Sequence, residues 1–80
     1  MVKQWLIDWF EENSNIKAEE IILKTSDNYF ENKWLDSFAF INFVSDMEKQ
    51  FSISFSNDEF QNKNFATIDG LTKIIEGKLQ

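Results

Sequence analysis

The chain has no cysteine, no histidine and no proline in its 80 residues, and only two glycines. Without cysteine, a disulfide framework and a thiolate metal site are both excluded. Without histidine, the side chain most often used for general acid–base work is missing. Gly70 and Gly77 both lie near the C-terminal end, so there is no glycine-rich phosphate loop of the nucleotide-binding kind. Asp27-Asn28 and Asn57-Asp58-Glu59 lack the glycine and the spacing of a calcium loop. The remaining carboxylates are scattered in the manner of a solvated surface. The expectation is a protein that is not an enzyme and holds no metal.

Long apolar runs are also absent. No stretch approaches the roughly 20 apolar residues that a membrane-spanning helix needs. Asp8, Glu11 and Glu12 interrupt the first residues before a signal-peptide core develops. No membrane insertion and a cytoplasmic location are therefore expected. Basic residues are few, eight Lys plus Arg against fourteen Asp plus Glu, for a net charge of −6. That sign repels a phosphate backbone and argues against nucleic-acid binding.

What the chain does have is aromatic bulk. Nine Phe and three Trp contribute to an apolar content of 42%. Large rings bury much area each, which a small core needs. The length suits one domain over residues 1–80, expected to be a monomer.

The pattern is helical. Val2, Trp5, Leu6, Trp9 and Phe10 recur at three-to-four spacing and predict a first helix, ended by Asn13, Ser14 and Asn15. Residues 16–33 mix apolar anchors (Ile16, Ile21, Ile22, Leu23, Tyr29, Phe30) with the turn-formers Ser26, Asp27 and Asn28. A long loop with one helical turn is expected there, and loops of that length tend to be functional. Asp36 is a good N-cap for a second helix, whose apolar positions are Phe38, Ile41, Val44, Met47 and Phe51, widened by Phe40 and Phe43. Phe51-Ser52-Ile53-Ser54-Phe55 alternates like a strand, but with no partner strand it is expected to be an extended loop. Ser56 with Glu59 has capping-box spacing for a short helix, which Asn62, Lys63 and Asn64 end. Thr67 caps a last helix with Asp69 in its first turn and Ile68, Leu71, Ile74, Ile75 and Leu79 on its buried side. The predicted fold is an all-α small four-helix bundle: three longer helices, a short third one, and a long loop between the first and second.

The order of these elements around Trp34-Leu35-Asp36-Ser37-Phe38 resembles the acyl carrier protein family and its peptidyl and D-alanyl relatives. Asp-Ser is a common dipeptide; its place after a long loop and at the start of an amphipathic helix carries the likeness. Ile16 to Ile21, Phe51 to Glu59 and Phe65 to Ile68 are similar to the family's segments after the first helix, before the short helix and before the last helix. The resemblance implies that the Ser37 hydroxyl is esterified to phosphopantetheine derived from coenzyme A, whose thiol carries cargo as a thioester. It implies partners too: a phosphopantetheinyl transferase that contacts Asp36, and enzymes that load and accept the cargo. The residues themselves agree, because an anion on Ser37 would sit beside the free N–H groups and positive dipole end of a helix.

Several positions depart from the family's pattern. Trp34-Leu35 stands where fatty-acid carriers usually have small residues. Ala39 and Asn42 stand where they tend to have acidic ones, and Asp46 and Glu48 are offset by Lys49. A specialised acyl, aminoacyl or D-alanyl-type carrier is therefore expected rather than one serving bulk fatty-acid synthesis, with Phe38, Ala39, Phe40 and Asp46 as its partner surface. Phe40 reads equally as an exposed hot spot and as the edge of the core. By resemblance, Phe55, Phe60 and Phe65 occupy positions that line the acyl cavity. They either fill that space, which suits a short or polar cargo, or simply build the core. Two functions compete with the carrier: a helical protein-interaction adaptor with no prosthetic group, and, more distantly, phosphorylation of Ser37 by a kinase.

Overall fold

The computed structural model describes residues 1–79. It contains five α-helices: α1 (Val2–Ser14), α2 (Ala18–Leu23), α3 (Ser37–Phe51), α4 (Asn57–Gln61) and α5 (Ile68–Lys78), with a 3₁₀ turn at Lys63–Ala66 before the last. There is no strand among the described residues. The helical bundle is the predicted one, with the second predicted helix appearing as α3 and the single expected turn of the long loop as the six-residue α2. Residues 52–56 have no regular structure, as the lack of a partner strand requires.

The local signals act where they were expected. α1 ends at Asn15, which takes the left-handed conformation with φ 58°, a geometry Asn tolerates better than most residues. Ser56 and Glu59 form a full capping box on α4: the Ser56 side chain accepts from the Glu59 N–H at 3.2 Å, and the Glu59 carboxylate accepts from the Ser56 N–H at 2.8 Å. Thr67 Oγ1 accepts from the Gly70 N–H at 2.9 Å and caps α5.

The core joins α1, α2, α3, the 3₁₀ turn and α5, with α4 lying outside it. Leu6, Phe10, Ile21, Tyr29, Phe43, Met47, Ile68, Leu71 and Ile75 are fully buried. Phe10 is its hub, with its ring 5.2 Å from Tyr29, 5.0 Å from Phe43 and 5.7 Å from Trp34, all within the range of favourable ring pairs. α3 turns most of its expected apolar positions inward, but not Phe38 and Ile41. Phe43 and Met47 are buried, with Phe40, Val44 and Phe51 packed against the core, whereas Phe38 and Ile41 are 78% and 66% exposed. Two apolar stripes run along this helix, and its packing partners select the one built on residues 40, 43, 44, 47 and 51. Leu79, expected on the buried side of α5, is half exposed.

Polar ties cross the bundle. Trp9 Nε1–H donates to Asp46 Oδ2 at 2.8 Å, linking α1 to α3. Lys3 pairs with Asp69 at 3.0 Å and Lys78 with Glu59 at 2.9 Å. Burial pushes the Glu59 carboxyl up, but the bonds from Ser56 and Lys78 outweigh it and hold the group below its ordinary range.

Candidate functional site

The segment in front of α3 is irregular but tightly held. Asn28 Oδ1 accepts from the N–H groups of Phe30 and Glu31 at 2.8 and 3.1 Å, a side chain standing in for a backbone turn. The Tyr29 N–H donates to the Ala66 carbonyl at 3.0 Å, and its hydroxyl donates to the Phe65 carbonyl. One residue therefore fastens the loop to the 3₁₀ turn through both backbone and side chain. Lys33 takes a left-handed φ of 60°, turning the chain so that Trp34 N–H donates to the Tyr29 carbonyl at 3.0 Å. Trp34 and Leu35 are only 6% and 7% exposed. Trp34 drives its indole into the core against Phe10.

Tyr29 makes that clasp sensitive to alkali. Burial raises its hydroxyl far above the ordinary 10.0. The folded state thus binds the proton more tightly than the unfolded chain, so this contribution is complete below pH 10 and lost as pH rises above it. The loss follows linkage at up to about 1.4 kcal/mol per pH unit. The melting temperature of the wild type should fall towards that of Tyr29→Phe as pH climbs from 9 to 11.5. A gap that stays constant over that range would refute the assignment.

Behind this anchor, Asp36 and Ser37 are presented to solvent. Asp36 is extended, with φ −98° and ψ −177°, and its Oδ1 accepts from the Ala39 N–H at 2.8 Å. Its carbonyl accepts from the Phe40 N–H at 2.9 Å, starting the helix. The N-cap predicted at Asp36 is therefore present. Ser37 is the first residue of a fifteen-residue helix. The N–H groups of Ser37 and Phe38 precede the helical hydrogen-bond ladder and point out of its end, next to the positive pole of the dipole. An exposed hydroxyl at such a place accommodates a phosphodiester without burying its charge.

The residues expected to meet partners divide on the structure. Phe38 is exposed beside Ser37, and Ile41, three residues on, joins it. Asn42, Ser45 and Lys49 continue the same face of α3, with the exposed Asp46 one turn from Asn42 at its edge. Ile41 was missed as a surface residue because its spacing fits either stripe of α3. Phe40 is half-buried and forms the edge of the core, its ring 5.1 Å from Phe30 and 5.9 Å from Phe65. Ala39 is half-buried. Asp46 is exposed, but its carboxylate is engaged by Trp9. Glu48 is turned inward and accepts from the Phe55 N–H at 3.0 Å. Both carboxylates of α3 thus also make bonds to other parts of the chain.

Among the described residues there is no cluster of three or more metal-ligating side chains, and no helix is long and apolar enough to cross a membrane.

Residues 4–75 match the family model of the phosphopantetheine attachment site. No curated protein and no solved structure gives a significant match. The chain belongs to the phosphopantetheine attachment-site family: it is a small helical carrier whose covalent prosthetic group is phosphopantetheine. The adaptor without a prosthetic group is set aside by that membership. Carriers of this kind are served by a phosphopantetheinyl transferase and work with partner enzymes.

Proposed function

We propose that Ser37 is the residue that carries the arm, and that this carrier serves a specialised pathway whose enzymes meet the exposed apolar pair Phe38 and Ile41. The observation that carries the first part is the exposed Ser37 hydroxyl at the capped start of α3, held in place by the buried Trp34-Leu35 pair in front of it. The second part rests on Phe38 and Ile41, large apolar side chains exposed beside Ser37 at the start of α3.

The loading step follows from that placement. The Ser37 oxygen attacks the coenzyme A phosphorus nearest the pantetheine. Its proton passes to a base on the transferase, the bond to the adenosine-side phosphate breaks, and adenosine 3′,5′-bisphosphate leaves. Once attached, the group supplies a thiol that holds an acyl or aminoacyl cargo as a thioester. The chain's own residues hold the attachment point still. The new phosphodiester gains the α3 dipole and the free N–H groups of its first turn, favourable by about 0.3–1 kcal/mol at an exposed site.

Asp36 has two jobs in this account, capping α3 and contacting the transferase, and they separate by mutation. Asp36→Ala should cost about 1 kcal/mol of stability, whereas Asp36→Asn keeps the cap at almost no cost. If the transferase reads the charge, both variants load slowly; if only the cap matters, Asp36→Asn loads like the wild type. The test of the whole reading is incubation with coenzyme A and a broad-specificity transferase, followed by intact-mass spectrometry. Wild type should gain one phosphopantetheine and Ser37→Ala none. A modified Ser37→Ala would overturn the assignment.

A further inference from the structure

Four phenylalanine rings, one on α3 and three from the segment between α3 and α5, meet in one cluster. Phe55, Phe60 and Phe65 form a closed triangle with centroids 5.9, 5.0 and 5.1 Å apart. Phe40, one turn along α3 from Ser37, closes its near side at 6.4 Å from Phe60 and 5.9 Å from Phe65. Carbon atoms in contact sit about 3.5–4.0 Å apart, so an alkyl chain lying between two rings needs them separated by about 7–8 Å. None of these pairs leaves that room.

The cluster is also fastened against opening. To let a chain in, α4 and the irregular residues 52–56 before it would have to swing away from α3 and α5. Glu48 on α3 holds the Phe55 N–H at 3.0 Å. On the other side, Lys78 on α5 holds Glu59 at 2.9 Å and places its Nζ 5.8 Å above the Phe55 ring. Separating the rings breaks both ties.

Resting on the reading of Ser37 as the attachment point, we infer that this carrier keeps its cargo outside the protein and that the cargo is a short or polar acyl group, including aminoacyl groups. Such a cargo has little apolar surface to hide and loses nothing in water. A long alkyl cargo would find no room among these rings and would stay exposed. The thioester itself is then always open to partner enzymes, and no step that draws the cargo out of the bundle precedes transfer.

The test loads wild type from acetyl-coenzyme A and from octanoyl-coenzyme A with the broad-specificity transferase, and confirms each product by mass. Absence of any mass gain would defeat the carrier reading itself, and this inference with it. With both products in hand, the expected result is melting temperatures within about 1 °C of each other, and backbone amide shifts at Phe55, Phe60 and Phe65 that do not depend on cargo length. An octanoyl form more stable by over about 5 °C, as burial of several methylenes would produce, would overturn the inference and leave the attachment at Ser37 intact. Phe60→Ala, at a half-exposed ring, and Phe55→Ala open the cluster from two sides. In whichever folds, a length-dependent stabilisation should appear. If both fold and neither shows it, the rings are not what excludes the chain, and the inference fails.

Discussion

Gly70→Ala is expected to destabilise the protein by at least about 3 kcal/mol, the upper end of what overpacking usually costs. A Cβ at Gly70 would lie 1.9 Å from the Asn64 carbonyl oxygen, 2.6 Å from its carbon and 2.8 Å from the Asn64 Cα. All three are backbone atoms, so no side chain can rotate to make room. Either α5 must lift off the 3₁₀ turn, or Thr67 must release its cap on the Gly70 N–H, which is held at 2.9 Å. That turn also receives both bonds from Tyr29, so the damage should spread into the loop before Ser37. Gly77 provides the control. Nothing lies within 4 Å of a Cβ there, so Gly77→Ala should stabilise by about 1 kcal/mol through helix propensity alone. Urea denaturation of the two variants should give opposite signs. A Gly70→Ala protein as stable as wild type would mean that α5 does not meet the turn this closely.

Trp34→Ala is the second large effect. A buried tryptophan removed from a packed core costs about 3–5 kcal/mol, and this one sits three residues before Ser37 with its ring on Phe10. The loss should be functional as well as thermal. Ser37 would remain, yet the segment presenting it would lose its main apolar anchor, and loading by the transferase should slow. Trp34→Phe keeps a ring in the same place and should recover most of both. Melting curves and loading rates measured together check this. A Trp34→Ala protein that loads at the wild-type rate would show that the anchor serves the fold alone.

The caps were legible in the sequence because capping is local: Asp36, Ser56 with Glu59, and Thr67 each bond to a backbone group three residues on. The same locality made the Asp36-Ser37 site readable, since a helix start needs only its own first turn. What could not be read depends on distant partners. Phe38 and Ile41 share helical spacing with Val44, and only distant partners, such as Phe10 and Tyr29 against Phe43 and Phe30 and Phe65 against Phe40, decide that the stripe through Phe40, Phe43 and Met47 goes inward. Asp46 and Glu48 looked like free surface charge; their partners, Trp9 and Phe55, lie 37 and 7 residues away. The need for glycine at position 70 comes from Asn64 on a 3₁₀ turn that the run Asn62-Lys63-Asn64 signals only as a helix end. Trp34, by contrast, announced itself as an exception to the family's pattern, and the structure supplies its physical reason.

The central claim is that Ser37, and no other residue, bears the arm. Fragmentation mass spectrometry of the loaded wild type tests it most directly. A single phosphopantetheine on Ser37 is expected; an arm on any other serine, such as Ser45, Ser52, Ser54 or Ser56, or no arm after exposure to several transferases, would overturn the assignment.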